Sequence, residues 1–155
     1  RSSISACGST TRGVFGGGST GSASNVIDYI TIATTGNATD FGNLTVSRMQ
    51  LAGASSSTRG VFGGGYTGSR SNVIDYVTIA TTGNATDFGD LSATRRQLSA
   101  CASTTRALFA GGLEASYVNK IEYVTIASTG NATDFGDLTV ARNALAGLSN
   151  CHGGL

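Results

Sequence analysis

Short runs of β-branched and aromatic residues alternate along the chain with clusters of Gly, Asn and Ser. Such runs, bounded by turn-forming residues, are typical of β-strands. The third run of residues 48–94 is apolar on both faces of the pleat, as Val73, Ile74 and Val77 show. That pattern favours a strand that is covered on both sides. We predict four strands in this stretch, at residues 48–55, 59–64, 72–80 and 86–93.

Two glycine-containing segments predict how these strands connect and pack. Residues 81–84 join the third and fourth strands, and Gly83 and Asn84 tolerate the positive φ of a tight hairpin. The triple glycine of residues 63–65 closes the second strand. Because glycine lacks a Cβ, we expect another segment of backbone to approach closely there.

The whole pattern recurs with a fixed period of 47 residues. Residues 14–18, 61–65 and 108–112 align at this spacing, as do 36–42, 83–89 and 130–136. We divide the chain into repeat 1 (1–47), repeat 2 (48–94), repeat 3 (95–141) and residues 142–155, the start of a further repeat or a closing strand. We expect the chain not to close a ring alone, because propellers have about 4 to 8 blades. A second copy or more chain would complete a ring, and an open solenoid is the alternative.

Composition and charge narrow the possible partners. Charged residues make up 12% of the chain and the net charge is +1, which argues against binding a nucleic-acid backbone. Apolar stretches are far shorter than the roughly 20 residues that span a bilayer, so we expect no membrane span. Three cysteines do not suggest a disulfide framework. The chain begins inside the repeat at Arg1, and we expect it to be a processed or excised piece of a longer protein.

The repeat resembles the kelch motif. A second strand ends in Gly-Gly, the third carries Asp75-Tyr76, and Arg48, Arg95 and Arg142 begin successive units. The Gly-His and Trp-Asp pairs of WD40 repeats are absent, and Phe88 stands where kelch repeats usually carry Trp. The resemblance implies an all-β fold of tandem four-stranded kelch-like blades, forming a partial β-propeller of three blades and the start of a fourth.

The segment Tyr123 to Arg142 is similar to virion-associated kelch-like proteins of large tailed phages, notably those of marine cyanobacteria. This resemblance implies an extracellular or virion-associated location, in a tail fibre or another external structure. It implies a non-enzymatic structural and adhesive role, in assembly with other copies or with a larger structural protein. A host surface glycan or protein is a further possible partner.

Two other function classes also use kelch-like repeats. Kelch-like copper oxidases need His and Tyr ligands and a Tyr linked to Cys, whereas this chain has the single histidine His152, next to Cys151. A hydrolytic triad would depend on the same histidine. We therefore expect no enzyme, no catalytic residues and no resident cofactor. An intracellular kelch adaptor that grips another protein is the third class.

The repeats differ most between their second and third strands. Aromatic and charged residues replace Gly and Ser there, and loops on a rigid scaffold often carry recognition. Such divergence also arises where nothing constrains the sequence. The candidate binding residues are Tyr66, Arg70, Glu114, Tyr117 and Lys120.

The connection from the third to the fourth strand carries two further candidate features. Its aspartates suggest a Ca²⁺ site, although they could instead satisfy backbone N–H groups or pair with Arg59 and Arg106. The aspartates are Asp40, Asp87, Asp90, Asp134 and Asp137. Four glycosylation sequons are also present, and repeat duplication explains three of them without glycosylation. They begin at Asn37, Asn43, Asn84 and Asn131.

Overall fold

Three four-stranded antiparallel sheets make up the computed structural model, which describes residues 1–149. Each sheet arranges its strands in chain order, and no helix occurs in these residues, so the predicted all-β class is confirmed. The sheets do not form a closed ring over this part of the chain. The strands are β1 Ser5–Gly8, β2 Arg12–Gly16, β3 Val26–Thr31, β4 Thr39–Asn43, β5 Ala52–Ser55, β6 Arg59–Gly63, β7 Ser71–Thr78, β8 Thr86–Arg95, β9 Ser99–Ala102, β10 Arg106–Ala110, β11 Lys120–Thr125 and β12 Thr133–Asp137.

The four predicted strands of repeat 2 are present, but their connections differ from the prediction. β5 begins at Ala52 rather than at residue 48, because Gln50 adopts a φ of 58° that no strand accommodates. The predicted tight hairpin at residues 81–84 is wrong. The chain turns earlier, where the N–H of Thr81 donates to the carbonyl of Thr78 at 3.1 Å. After this turn, the backbone of Gly83 hydrogen-bonds to repeat 1.

Successive sheets pack face to face through a phenylalanine set against a glycine. Phe62 of repeat 2 lies over Gly16 of repeat 1, where a Cβ would come within 3.0 Å of the ring. Phe109 covers Gly63 in the same way, at 2.6 Å. Both phenylalanines are fully buried. A larger residue at either glycine would push the sheets apart, so the close packing depends on these glycines.

The outer strands of the first two sheets, β4 and β8, are covered by backbone from the next repeat. The N–H of Gly83 donates to the carbonyl of Phe41 at 2.7 Å, and that of Ala85 donates to the carbonyl of Asn43 at 2.8 Å. The side chain of Asn84 completes this pairing, since its Oδ1 accepts from the N–H of Asn43 at 3.0 Å. The junction of repeats 2 and 3 repeats these bonds between Gly130, Asn131 and Ala132 and β8 residues Phe88 and Asp90. An edge strand paired in this way no longer offers free backbone groups.

An ion pair ties the start of each repeat to its own sheet, and in repeats 2 and 3 this pair is buried. Arg48 Nη1 donates to the carbonyls of Gly64 at 2.8 Å and Val73 at 2.6 Å, and its Nη2 pairs with Asp75. Both charged side chains are 0% exposed. Burial lowers the pKa of the Arg48 guanidinium from its usual value, and the charge and hydrogen bond of Asp75 oppose that effect. The equivalent pairs are Arg1–Asp28 and Arg95–Glu122.

A column of backbone hydrogen bonds crosses all the repeats. The N–H of Gln50 donates to Ser3 at 3.0 Å, that of Gln97 to Gln50 at 2.9 Å, and that of Ala144 to Gln97 at 2.8 Å, each to the carbonyl. All four residues have φ between 51° and 58°. Such left-handed backbone costs a non-glycine residue about 1 kcal/mol. Ala144 thus takes the place in residues 142–149 that Ser3, Gln50 and Gln97 take just before the first strands β1, β5 and β9.

Candidate binding surfaces

Chain-order antiparallel sheets place their connections on two opposite rims. Loops between second and third strands lie on the rim where first strands begin, and we name residues 19–23, 66–70 and 113–117 the loop rim. The turns after first and third strands lie at the opposite end, which we name the turn rim. The five candidate binding residues fall on or beside the loop rim.

The structure divides the five candidate residues into two groups. Tyr66 and Arg70 face each other across a backbone bridge that closes their loop, with Tyr66 half-buried and Arg70 exposed. In repeat 3, Lys120 lies 3.8 Å from Glu114 and also donates to a serine hydroxyl. Tyr117 is 58% exposed and offers a free aromatic surface. Each group thus combines an aromatic residue with charged residues in one loop region.

Arg96 joins these two groups, although the sequence analysis did not single it out. Its guanidinium lies 4.8 Å from the centre of the Tyr66 ring, and its backbone pairs with Leu113 at the start of the repeat 3 loop. The sequence carries one sign of this role. Residue 96 is charged, whereas the equivalent positions of the neighbouring units hold the uncharged residues Met49 and Asn143. The cation over the ring holds Tyr66 against the scaffold.

On the turn rim, one shallow pocket recurs in each repeat. Its wall combines a tyrosine of the third strand with threonine hydroxyls and the Gly-Asn of the following connection. The pocket of repeat 2 is the largest, at about 340 Å³, because Phe41 of repeat 1 extends its wall. An arginine covers each tyrosine; Arg59 lies 4.3 Å from the centre of the Tyr76 ring. Hydroxyl, amide and aromatic groups of this kind suit a polar ligand such as a sugar.

Three of the four sequon asparagines line these pockets. Asn37, Asn84 and Asn131 are exposed, and Asn43 is half-buried. Asn84 and Asn131 each accept a hydrogen bond from the preceding repeat, which gives this turn residue a structural role in both junctions.

The aspartates proposed for Ca²⁺ lie on exposed or half-buried backbone of β4, β8 and β12. Arg59, an alternative partner for them, instead donates to the carbonyl of Ile126 at 2.8 Å. Among residues 1–149, no three His, Cys, Asp or Glu side chains gather closely enough to hold a metal ion. Cys151 and His152 lie outside the described residues.

The two ends of the array expose residues that are buried at its junctions. Phe88 is 2% exposed beneath repeat 3, whereas the equivalent Phe135 is 51% exposed. At the other end, Ile32 is 54% exposed, whereas the equivalent Ile79 is 1% exposed beneath repeat 1. We name the surface around Phe135 the trailing face and the surface around Ile32 the leading face.

No protein-family model matches this chain, and no curated protein sequence matches it. In the part of the chain that the structure describes, no helix has the length and apolar character needed to cross a membrane.

Proposed function

We propose that this chain is a non-enzymatic structural and adhesive module, whose kelch-like blades stack into a propeller or a propeller-like array. Its partners in assembly are other copies of itself or a larger structural protein. An extracellular or virion-associated setting, in a tail fibre or another external structure, follows from the resemblance of residues 123–142 to phage kelch-like repeats.

The observation that carries this proposal is the mismatch between the junctions and the ends. Each junction buries a phenylalanine, an isoleucine and a set of backbone hydrogen bonds, and the ends present the same groups without cover. An exposed sheet edge with apolar neighbours is a template for further pairing. A module that works by stacking needs such ends, whereas a self-contained monomer gains nothing from them.

The adhesive part of the proposal rests on the two rims. The loop rim offers Tyr117 and the Tyr66–Arg96 pair, which suit a protein or glycan surface. The turn rim offers the same neutral pocket once per repeat. Stacking multiplies such sites along one surface, and linked sites bind a repetitive host glycan more tightly than one site does.

Native mass spectrometry across a concentration series tests the assembly. We expect discrete multiples of the chain mass, or a polymer, that grow with protein concentration. A folded chain that stays monomeric at every concentration would contradict the proposal. Binding to a glycan array, compared between the chain and its Tyr117→Ala variant, then separates adhesion through the loop rim from assembly alone.

A further inference from the structure

The trailing face keeps the hydrogen-bonding groups that earlier outer strands use. In β4 and β8, two carbonyls and one N–H of the outer strand bind the next repeat. At the 47-residue spacing, the corresponding groups of β12 are the carbonyls of Phe135 and Asp137 and the N–H of Asp137. Arg106 adds a guanidinium, equivalent to those that Arg12 and Arg59 donate to the following repeat. The trailing face therefore presents acceptors, donors and an exposed ring in a known arrangement.

The leading face carries the complementary set. Its connection supplies the N–H groups of Gly36 and Ala38 and the side chain of Asn37, which correspond to Gly83, Ala85 and Asn84. The carbonyl of Ile32 corresponds to that of Ile79, which accepts from Arg12 at 2.9 Å. Phe15 corresponds to Phe62 and Phe109, which cover a small residue of the preceding sheet. All of these groups lie on repeat 1.

We propose that a second copy of the chain covers the trailing face head to tail, with its leading face in the place of a following repeat. This inference rests on the proposed function and names the partner and its contacts. Gly36 and Ala38 of the second copy donate to the carbonyls of Phe135 and Asp137, and Arg106 donates to the carbonyl of Ile32. The two surfaces differ, so the contact is heterologous and generates either a ring or a filament.

One segment must move for this contact to form. Residues 142–149 already lie where the first strand of a following repeat belongs: Arg142 accepts from Gly112 at 2.9 Å, and Gly147 lies against Ala100. The first strand of a docking copy would need the same place. We infer that residues 142–149 replace residues 1–8 in the docking copy.

In this exchange, Arg142 takes the partners of Arg1. Arg142 is exposed. Arg1 pairs with Asp28, whose side chain is 32% exposed, whereas the side chain of the equivalent Asp75 is fully buried. Leu145 supports the exchange, because leucines at the same position are buried in repeats 2 and 3, whereas Ile4 of repeat 1 is 42% exposed.

Ala110 sets how closely the second copy approaches. It stands at the position of Gly16 and Gly63, where a Cβ would come within 3.0 Å and 2.6 Å of the phenylalanine that covers each glycine. Phe15 must therefore sit slightly further out than Phe62 and Phe109 do. The intermolecular junction is then looser than the two internal ones, so it needs a higher protein concentration to form than a junction with glycine at this position would need.

Site-directed crosslinking tests these contacts. The three native cysteines are replaced by serine, and Ala38→Cys and Asp137→Cys are introduced into separate chains. A short bismaleimide crosslinker should join the two variants when they are mixed, with at least about tenfold less product from either variant alone. The internal control is the double variant Asn43→Cys with Ala85→Cys, which places the same pair within one chain and should give an intramolecular crosslink.

The outcomes separate this inference from the proposed function. If the chain assembles by native mass but the mixed variants do not crosslink while the internal control does, the head-to-tail contact is wrong and the proposed function stands. If the chain remains monomeric, both fail. The exchange predicts that Arg142→Ala lowers the intermolecular yield several-fold and that Arg1→Ala does not. The reverse pattern would overturn the exchange.

Discussion

Phe88 and Phe135 occupy the same place in identical Thr-Asp-Phe-Gly-Asp segments, yet they have different surroundings. Each ring meets a tyrosine edge to face, with ring centres 5.9 Å apart for Phe88 and 6.1 Å apart for Phe135. Phe88 is 2% exposed and Phe135 is 51% exposed. The local fold is therefore a property of each repeat, whereas burial comes from the neighbouring repeat.

This difference distributes stability unevenly along the array. Covering a large apolar side chain contributes about 1.5–3 kcal/mol, and only the middle repeat has both faces covered. Stability in stacked repeats is the sum of intrinsic terms and contacts with nearest neighbours. Matched substitutions at equivalent positions can measure the neighbour term directly, because the sequence around them hardly changes.

Among such pairs, we expect the largest contrast at the repeat-starting arginines. Arg48→Ala leaves Asp75 as an unpaired buried charge and should lower the free energy of unfolding by about 3–5 kcal/mol. Arg1→Ala disrupts a pair whose side chains are 14% and 32% exposed, and should cost about 1 kcal/mol or less. Urea unfolding of both variants measures the difference. Equal losses would show that burial by neighbours does not set the strength of the pair.

A smaller contrast is expected at two glycines with nearly the same backbone. Gly42 and Gly136 have φ values of 144° and 140°, so alanine strains both equally. A Cβ on Gly42 would lie 2.3 Å from the carbonyl oxygen of Gly83, whereas a Cβ on Gly136 meets nothing within 4 Å. Gly42→Ala should therefore destabilise by about 1–3 kcal/mol more than Gly136→Ala does. Thermal unfolding of the two variants provides the test, and indistinguishable midpoints would refute the close contact at the junction.

The smallest contrast concerns one methylene group. Ile79→Val should cost about 0.5–1.5 kcal/mol, because Ile79 is buried at a junction. Ile32→Val should have almost no effect in dilute solution, where its side chain stays exposed. Repeating the unfolding at high concentration sharpens the comparison, since a head-to-tail contact would bury Ile32 and raise the cost toward that of Ile79→Val. A cost for Ile32→Val that is the same at both concentrations would argue against that contact.

Much of the architecture could be predicted from the repeat itself. Runs of β-branched and aromatic residues predicted the four strands, the period of 47 residues predicted their recurrence, and the glycines indicated where sheets approach closely. The early turn at Thr78 could not be predicted, because the competing interaction is with another repeat: Gly83 and Ala85 bind Phe41 and Asn43, which lie more than 40 residues earlier.

The left-handed Gln50 was equally hidden, since glutamine carries no local preference for positive φ. At the candidate site, the five candidate residues lie in or beside the loops between second and third strands, but the sequence could not show that Arg96 links them. The pairing of Arg48 with Asp75 did leave one sign in the sequence. An acidic residue follows the repeat-starting arginine by 27 residues in both cases, as Asp75 does after Arg48 and Glu122 does after Arg95. Long-range pairs of this kind become visible in a sequence only when charged residues at equivalent positions of the repeats are compared.

The column formed by Ser3, Gln50, Gln97 and Ala144 has an electrical consequence. Every N–H in it points toward the lower-numbered repeat and every carbonyl toward the higher-numbered one. Peptide dipoles aligned in this way add together, as they do along an α-helix. The stack therefore has a partial positive pole near Ser3 and a partial negative pole at the carbonyl of Ala144, and its polarity grows with its length.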